Sequence, residues 1–145
     1  MLKGIDPRVT PDLMDVLMRM GHGDELAVVD SNYPAFALPT RSGRVVDLAG
    51  LDVVEGLRLI TTLMPLDGFT DYGALWMERD GAGDRPDPVH VDALDVLRPA
   101  LPEGAAARSI ERQAFYAHAP GCYAVVRCTE NRPFGCFILR MGVVF

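Results

Sequence analysis

The segment Leu26-Ala27-Val28-Val29 constrains the fold most: four consecutive apolar residues, two of them β-branched, that end at a carboxylate, Asp30. Such a run has no polar face to offer water. It fits a strand covered on both sides, as in a parallel sheet sandwiched by helices. The rest of the chain supplies covering helices at suitable intervals. Thr10-Pro11-Asp12 ahead of Leu13, Met14, Val16, Leu17, Met18 and Met20 combines an N-cap hydroxyl, a first-turn proline and apolar residues at helical spacing, and Gly21 ends the pattern. Arg44–Leu48 reads as a second strand, 52–63 as a helix stopped by Pro65, Ala74–Met77 as a third strand, 81–86 as a turn and 89–97 as another helix. Residues 110–119 read as mainly helical, and 123–127 and 137–140 as strands paired across the turn Asn131-Arg132-Pro133-Phe134-Gly135. The expectation is one α/β domain over residues 1–145: a layered domain with a mixed, mostly parallel sheet covered by helices, and an antiparallel C-terminal hairpin.

Composition narrows the function by exclusion. At 145 residues and 49% hydrophobic, the chain can bury about 70% of its unfolded surface, so neither disulfide nor metal is needed to hold it. The formal net charge is -6 and the arginines are scattered, which argues against nucleic acid as a partner. With no signal-peptide h-region and no apolar run long enough for a bilayer, a cytoplasmic protein without membrane contact is expected. Cys122, Cys128 and Cys136 are odd in number and lack CxxC spacing, so they read as reduced, buried thiols. His90 and His118 stand alone on expected helices, without HxH or HExxH, and read as surface residues rather than metal ligands. Phosphate-binding, dinucleotide and serine-hydrolase motifs are absent.

Four places could carry chemistry. His22 lies between Gly21 and Gly23, after a helix and before a strand, where it can serve as an acid–base group in a cleft or as a C-cap on the helix dipole. Asp30 ends a buried strand, the edge at which open α/β sheets bind ligands; its alternative is to cap the turn Asp-Ser-Asn. Arg112 and Tyr116 share a helix face while Phe115 turns inward, which suits polyol recognition or simply a solvated arginine beside core aromatics. Asp67, between Leu66 and Gly68, is equally suited to forming a turn.

Taken together, Met1-Leu2-Lys3-Gly4-Ile5, Arg19-Met20-Gly21-His22-Gly23-Asp24-Glu25, Asp30, Tyr33-Pro34-Ala35, Ile110-Glu111-Arg112, Ala114-Phe115-Tyr116 and Gly142-Val143 resemble the L-fucose mutarotase and D-ribose pyranase family nearly end to end. The Ile-Glu-Arg and Phe-Tyr wording is more similar to the fucose branch. The resemblance implies a free monosaccharide as substrate, His22 as the proton-transferring residue, and Asp30, Asp67, Arg112 and Tyr116 at sugar-site positions. It also implies a homo-oligomer of pentameric rings, possibly paired as a decamer, with sites between neighbouring subunits. Where fucose mutarotases typically carry Tyr-Gly-Asn, this chain has Phe134-Gly135-Cys136, so Phe134 and Cys136 replace two hydrogen-bonding groups at substrate-binding positions, and either a different preferred sugar or a weaker affinity is expected.

Mutarotation removes a proton from the anomeric hydroxyl and delivers one to the ring oxygen; the open-chain aldehyde rotates and recloses on its other face. No cofactor or metal is expected. An imidazole, with a reference pKa of ~6.5, holds both acid and base forms at neutral pH, so one histidine can serve, with Tyr116 or a water as the second carrier. The competing expectations are a sugar sensor without catalysis, pyranose–furanose interconversion of ribose, and an oligomer whose site has decayed.

Overall fold

The computed structural model describes residues 2–145. In chain order the elements are α1 (Pro11–Arg19), β1 (Glu25–Val29), β2 (Arg44–Leu48), α2 (Val53–Thr61), β3 (Ala74–Met77), α3 (Pro88–Ala100), β4 (Ala107–Ile110), α4 (Arg112–His118), a 3-10 turn (Ala119–Gly121), β5 (Ala124–Cys128) and β6 (Phe137–Arg140). The strands form one mixed sheet in the order β2-β5-β1-β6-β3-β4. β1 pairs in parallel with β5, β5 with β2 and β3 with β4, whereas β6 runs antiparallel to both β1 and β3.

The apolar run Leu26–Val29 sits mid-sheet, and all five residues of β1 are buried. Its alternate side chains feed two cores. Leu26 and Val28 join Val126, Phe137 and Leu139 on the face covered by α1, α2 and α3, through Leu13, Leu57, Ile60 and Leu97 among others. Ala27 and Val29 join Val125 and Ile138 on the other face, under Phe115 of α4 and Tyr33 of the loop after β1. Thr10 Oγ1 accepts from Leu13 N–H at 3.1 Å to start α1, and Asp52 and Glu55 close a reciprocal capping box at the start of α2.

The expected layered, mostly parallel sheet is present, but its C-terminal hairpin is not. β1 lies between β5 and β6, so those strands never pair. The reason is burial: three of the four residues of β6 and four of the five of β5 are buried, and strands that apolar need a neighbour on each side, whereas a terminal hairpin leaves one edge bare. The segment expected to be helical from residue 110 begins instead with the end of edge strand β4. Pairing on one side only, that strand has no apolar run to reveal it. The surface placement expected for His90 is also wrong: its side chain is fully buried, and His118 is half-buried.

Candidate functional site

The expected site residues fall into two groups at opposite ends of β1. A five-residue strand spans about 17 Å, so within one chain the groups cannot touch the same small molecule.

The first group surrounds His22. Gly23, at φ +84°, lets the chain reverse there, and its N–H donates to Met141 O at 2.9 Å, tying the turn to the end of β6. Asp67 reaches the same place because the segment before it runs against Gly142: an added Cβ on that glycine would lie 2.5 Å from Leu66 O. His22 Nε2 lies 3.1 Å from Asp67 Oδ1. The carboxylate, completely buried, also accepts from Phe69 N–H (3.1 Å), Thr70 Oγ1 (2.9 Å) and Arg140 Nε (3.2 Å). Burial pushes the Asp67 carboxyl up, but the bonds from Phe69, Thr70 and His22 outweigh it and hold the group below the ordinary carboxylate range. An ionised Asp67 only accepts, so Nε2 carries the hydrogen and Nδ1 keeps its lone pair.

Arg140 continues the network to Glu25 (3.3 Å), which also takes Tyr72 Oη at 2.7 Å and His118 Nε2 at 2.5 Å. The His22 side chain is 47% exposed, and the edge of the exposed Phe69 ring packs against it at 5.3 Å. No local signal in the sequence marks Glu25, Tyr72, His118 or Arg140 as site residues: Glu25 and Arg140, 115 residues apart, meet through the antiparallel register of β1 and β6, and the loop before β3 and the end of α4 bring Tyr72 and His118 to Glu25.

The second group lines a cavity of about 130 Å³ where the chain leaves β1: Asp30, Tyr33, Met77, Arg112, Tyr116, Phe134 and Cys136 among others. Asp30 caps the turn that follows it, accepting from Asn32 and Tyr33 N–H at 2.9 and 3.0 Å, and it also faces the cavity. Burial raises its pKa, against the pull of those two amides, the Cys136 thiol and Gly135 N–H. Cys136 is 2% exposed and lines the cavity beside Asp30; its thiol, pushed well up by burial, stays protonated. Tyr116 stacks on Tyr33 at 5.4 Å and 6°, and burial raises its pKa, so the phenol keeps its proton. Arg112 Nε donates to Asp80 at 2.7 Å. Phe134, at φ +63°, is the non-glycine residue held in the left-handed region among the described residues.

Among the described residues no cluster of His, Cys, Asp and Glu is fit to hold a metal, and no helix is long and apolar enough to cross a membrane.

The folded pKa of Asp67 is depressed, so its contribution to stability is fully present above the unfolded carboxylate pKa, about 3.9, and is lost as pH falls through the folded value. Asp67→Asn cannot ionise and lacks that contribution. The Tm gap between wild type and variant therefore narrows as pH drops from about 5 to about 3; parallel melting curves across that range count against an ionised, donor-held Asp67.

The fold defines an α/β protein whose mixed six-stranded sheet places a polar cluster at each end of β1, one built on a His–Asp pair and the other on a carboxylate, a phenol and a guanidinium. Residues 3–144 match the RbsD / FucU transport protein family, and the chain belongs to that family. It is 36% identical to the L-fucose mutarotase of Histophilus somni over 144 residues, 99% of this chain and 97% of that one. Against the human fucose mutarotase the identity is 35%, covering 99% and 94%. The crystal structure of the Streptococcus pneumoniae fucose mutarotase in complex with L-fucose superposes with a TM-score of 0.88 at 30% identity, covering 99% of this chain and all of that one.

Proposed function

We propose that the protein is a monosaccharide mutarotase, interconverting the α and β anomers of L-fucose or a related aldose at sites shared by neighbouring subunits. The observation that carries this reading is the His22–Asp67 pair: a half-exposed imidazole whose Nε2–H is taken by a buried carboxylate, leaving Nδ1 aimed away from it. Nδ1 takes the proton of the anomeric hydroxyl as the C1–ring oxygen bond breaks, and the ring oxygen receives a proton from the Tyr116 phenol or a water. Rotation about C1–C2 and the reverse transfers close the ring on the other face. Protons balance, and no redox partner takes part.

The sharing of sites is argued from geometry. Asp30, Arg112 and Tyr116 suit sugar hydroxyls, but their cavity of about 130 Å³ falls well below the roughly 300 Å³ at which ligand pockets begin. Each group is thus half a site. Surfaces at opposite ends of one molecule that complete each other make a head-to-tail contact, which closes into a ring when the rotation permits. The similarity to fucose mutarotases supports the same assembly, in pentameric rings that can pair as a decamer. Phe134 and Met77 give the cavity an apolar wall, which favours a deoxy carbon or a C–H face of the sugar over a further hydroxyl.

Saturation-transfer NMR on L-fucose, D-galactose and D-ribose tests the reading. Anomer exchange of fucose or galactose is expected to rise with enzyme concentration. Acceleration confined to the pyranose–furanose peaks of ribose makes the chain a pyranase instead. Calorimetric binding without any exchange makes it a sensor, the outcome that the exchange of two polar groups for Phe134 and Cys136 would favour.

A further inference from the structure

We propose that His90 is a positioning residue of the sugar cavity: buried outside it, the imidazole clamps the left-handed Phe134 and so fixes the loop that walls the cavity beside Asp30. The inference rests on the mutarotase reading only for its kinetic readout.

His90 stands in the first turn of α3, fully buried between Trp76 (ring centroids 4.7 Å) and Phe137 (6.1 Å). Both ring nitrogens are engaged. Asp87 N–H, at the N-cap of α3, donates to Nδ1 at 2.9 Å, so Nδ1 must be unprotonated. The hydrogen then sits on Nε2, which lies 2.9 Å from the carbonyl oxygen of Phe134. That carbonyl also takes the N–H of Cys136 at 2.8 Å, so both of its lone pairs are used. The neutral imidazole thus joins the start of a helix to a backbone position that side-chain-bearing residues seldom adopt, φ +63°. No apolar residue could both cap the helix and hold the loop.

What the clamp holds is functional. Phe134 lines the cavity, and Cys136, two residues on, lines it beside Asp30. The loop has little slack: an added Cβ on Gly135 would lie 3.1 Å from Glu130 Cγ and 3.3 Å from Val89 Cγ2, beside His90 itself. Loosening the Phe134 carbonyl therefore moves the Phe134–Cys136 wall that faces Asp30 across the cavity, while the His22–Asp67 pair at the other end of β1 keeps its geometry.

Two amide substitutions separate the imidazole's bonds. The side-chain oxygen of His90→Asn can replace Nδ1 as acceptor but cannot reach Phe134, whereas the longer His90→Gln brings an amide N–H to that carbonyl. All three cysteines are buried, so thiol alkylation followed by peptide mapping reads the loop directly. In His90→Asn, Cys136 is expected to label about 10-fold faster, the loss of roughly one hydrogen bond, with Cys122 and Cys128 unchanged. KM for the sugar rises about 5- to 10-fold while kcat stays within about twofold, and His90→Gln restores both readouts. Protection of Cys136 as in the wild type, or equal labelling of all three thiols, overturns the proposal, the latter because it marks general destabilisation. Should His90→Asn not fold, nitrogen-15 imidazole spectra of the wild type decide: the Nε2–H neutral tautomer is required, and Nδ1–H is incompatible with the clamp. If the wild type exchanges no sugar at all, the mutarotase reading falls while labelling and tautomer still judge the clamp.

Discussion

His22→Ala lowers anomer exchange by about 10²- to 10⁴-fold, the usual contribution of a positioned acid–base group, on every sugar that the wild type accelerates. The imidazole is half exposed and packs on one ring edge, so its removal leaves no cavity in either core and the variant folds with a Tm close to that of the wild type. Binding is expected to persist as well, because Asp30, Arg112 and Tyr116, the groups proposed to meet the sugar's hydroxyls, stand at the other end of β1. Asp67→Asn behaves differently. An amide at that position would aim N–H hydrogens at Arg140, Thr70 or Phe69, each already donating, or turn its oxygen away from Nε2–H. Losing a hydrogen bond to a charged group costs about 1.5–3 kcal/mol, so kcat falls about 10- to 100-fold, less than for His22→Ala. Exchange rates from saturation transfer, with binding measured by calorimetry, separate the two effects. A His22→Ala protein that exchanges sugars at the wild-type rate removes the imidazole from the reaction.

How much of this was visible before folding depends on where each residue's neighbours lie. β2 and β3 were legible to the residue, since a short apolar run between turn signals permits little else, and the capped start of α1 was legible from Thr10-Pro11. Edge strand β4 was not: Ala-Arg-Ser-Ile pairs on one side only and carries no period. The hairpin failed because periodicity reports which faces are buried and says nothing of which strand lies beside which. In the site, Arg112 and Tyr116 meet across one helical turn, a local fact that spacing can carry. His22 and Asp67 are 45 residues apart, and Arg140 meets Glu25 across 115; those pairings exist only once the sheet order is set. His90 was misread for the same reason. One histidine on a helix carries no sign of whether a strained carbonyl waits above it, and its partner Phe134 lies 44 residues on.

Mixing two inactive variants restores activity. Within one chain His22 and Asp30 flank β1, so if each site draws them from different subunits, a protein lacking the first still offers an intact Asp30 group to its neighbour, and a protein lacking the second still offers an intact His22. In the proposed assembly, His22→Ala oligomers lack the acid–base imidazole at every site and Asp30→Ala oligomers lack the positioning carboxylate, so each alone is expected to fall far below the wild-type rate. Refolded together in equal amounts, the two place a wild-type His22 against a wild-type Asp30 at about one quarter of the head-to-tail contacts, and the mixture recovers about that fraction of the wild-type exchange rate. Both substitutions in one chain, mixed with wild type, serve as the control: intact pairs then arise only between wild-type subunits, and the yield is the same quarter, not an excess. A site contained in a single subunit gives the opposite result, since every subunit of the first mixture carries one lesion and no rearrangement can cure it. A mixture that assembles into rings by sedimentation yet stays as inactive as its components therefore refutes the shared site, and with it the head-to-tail arrangement drawn from the two half-sites.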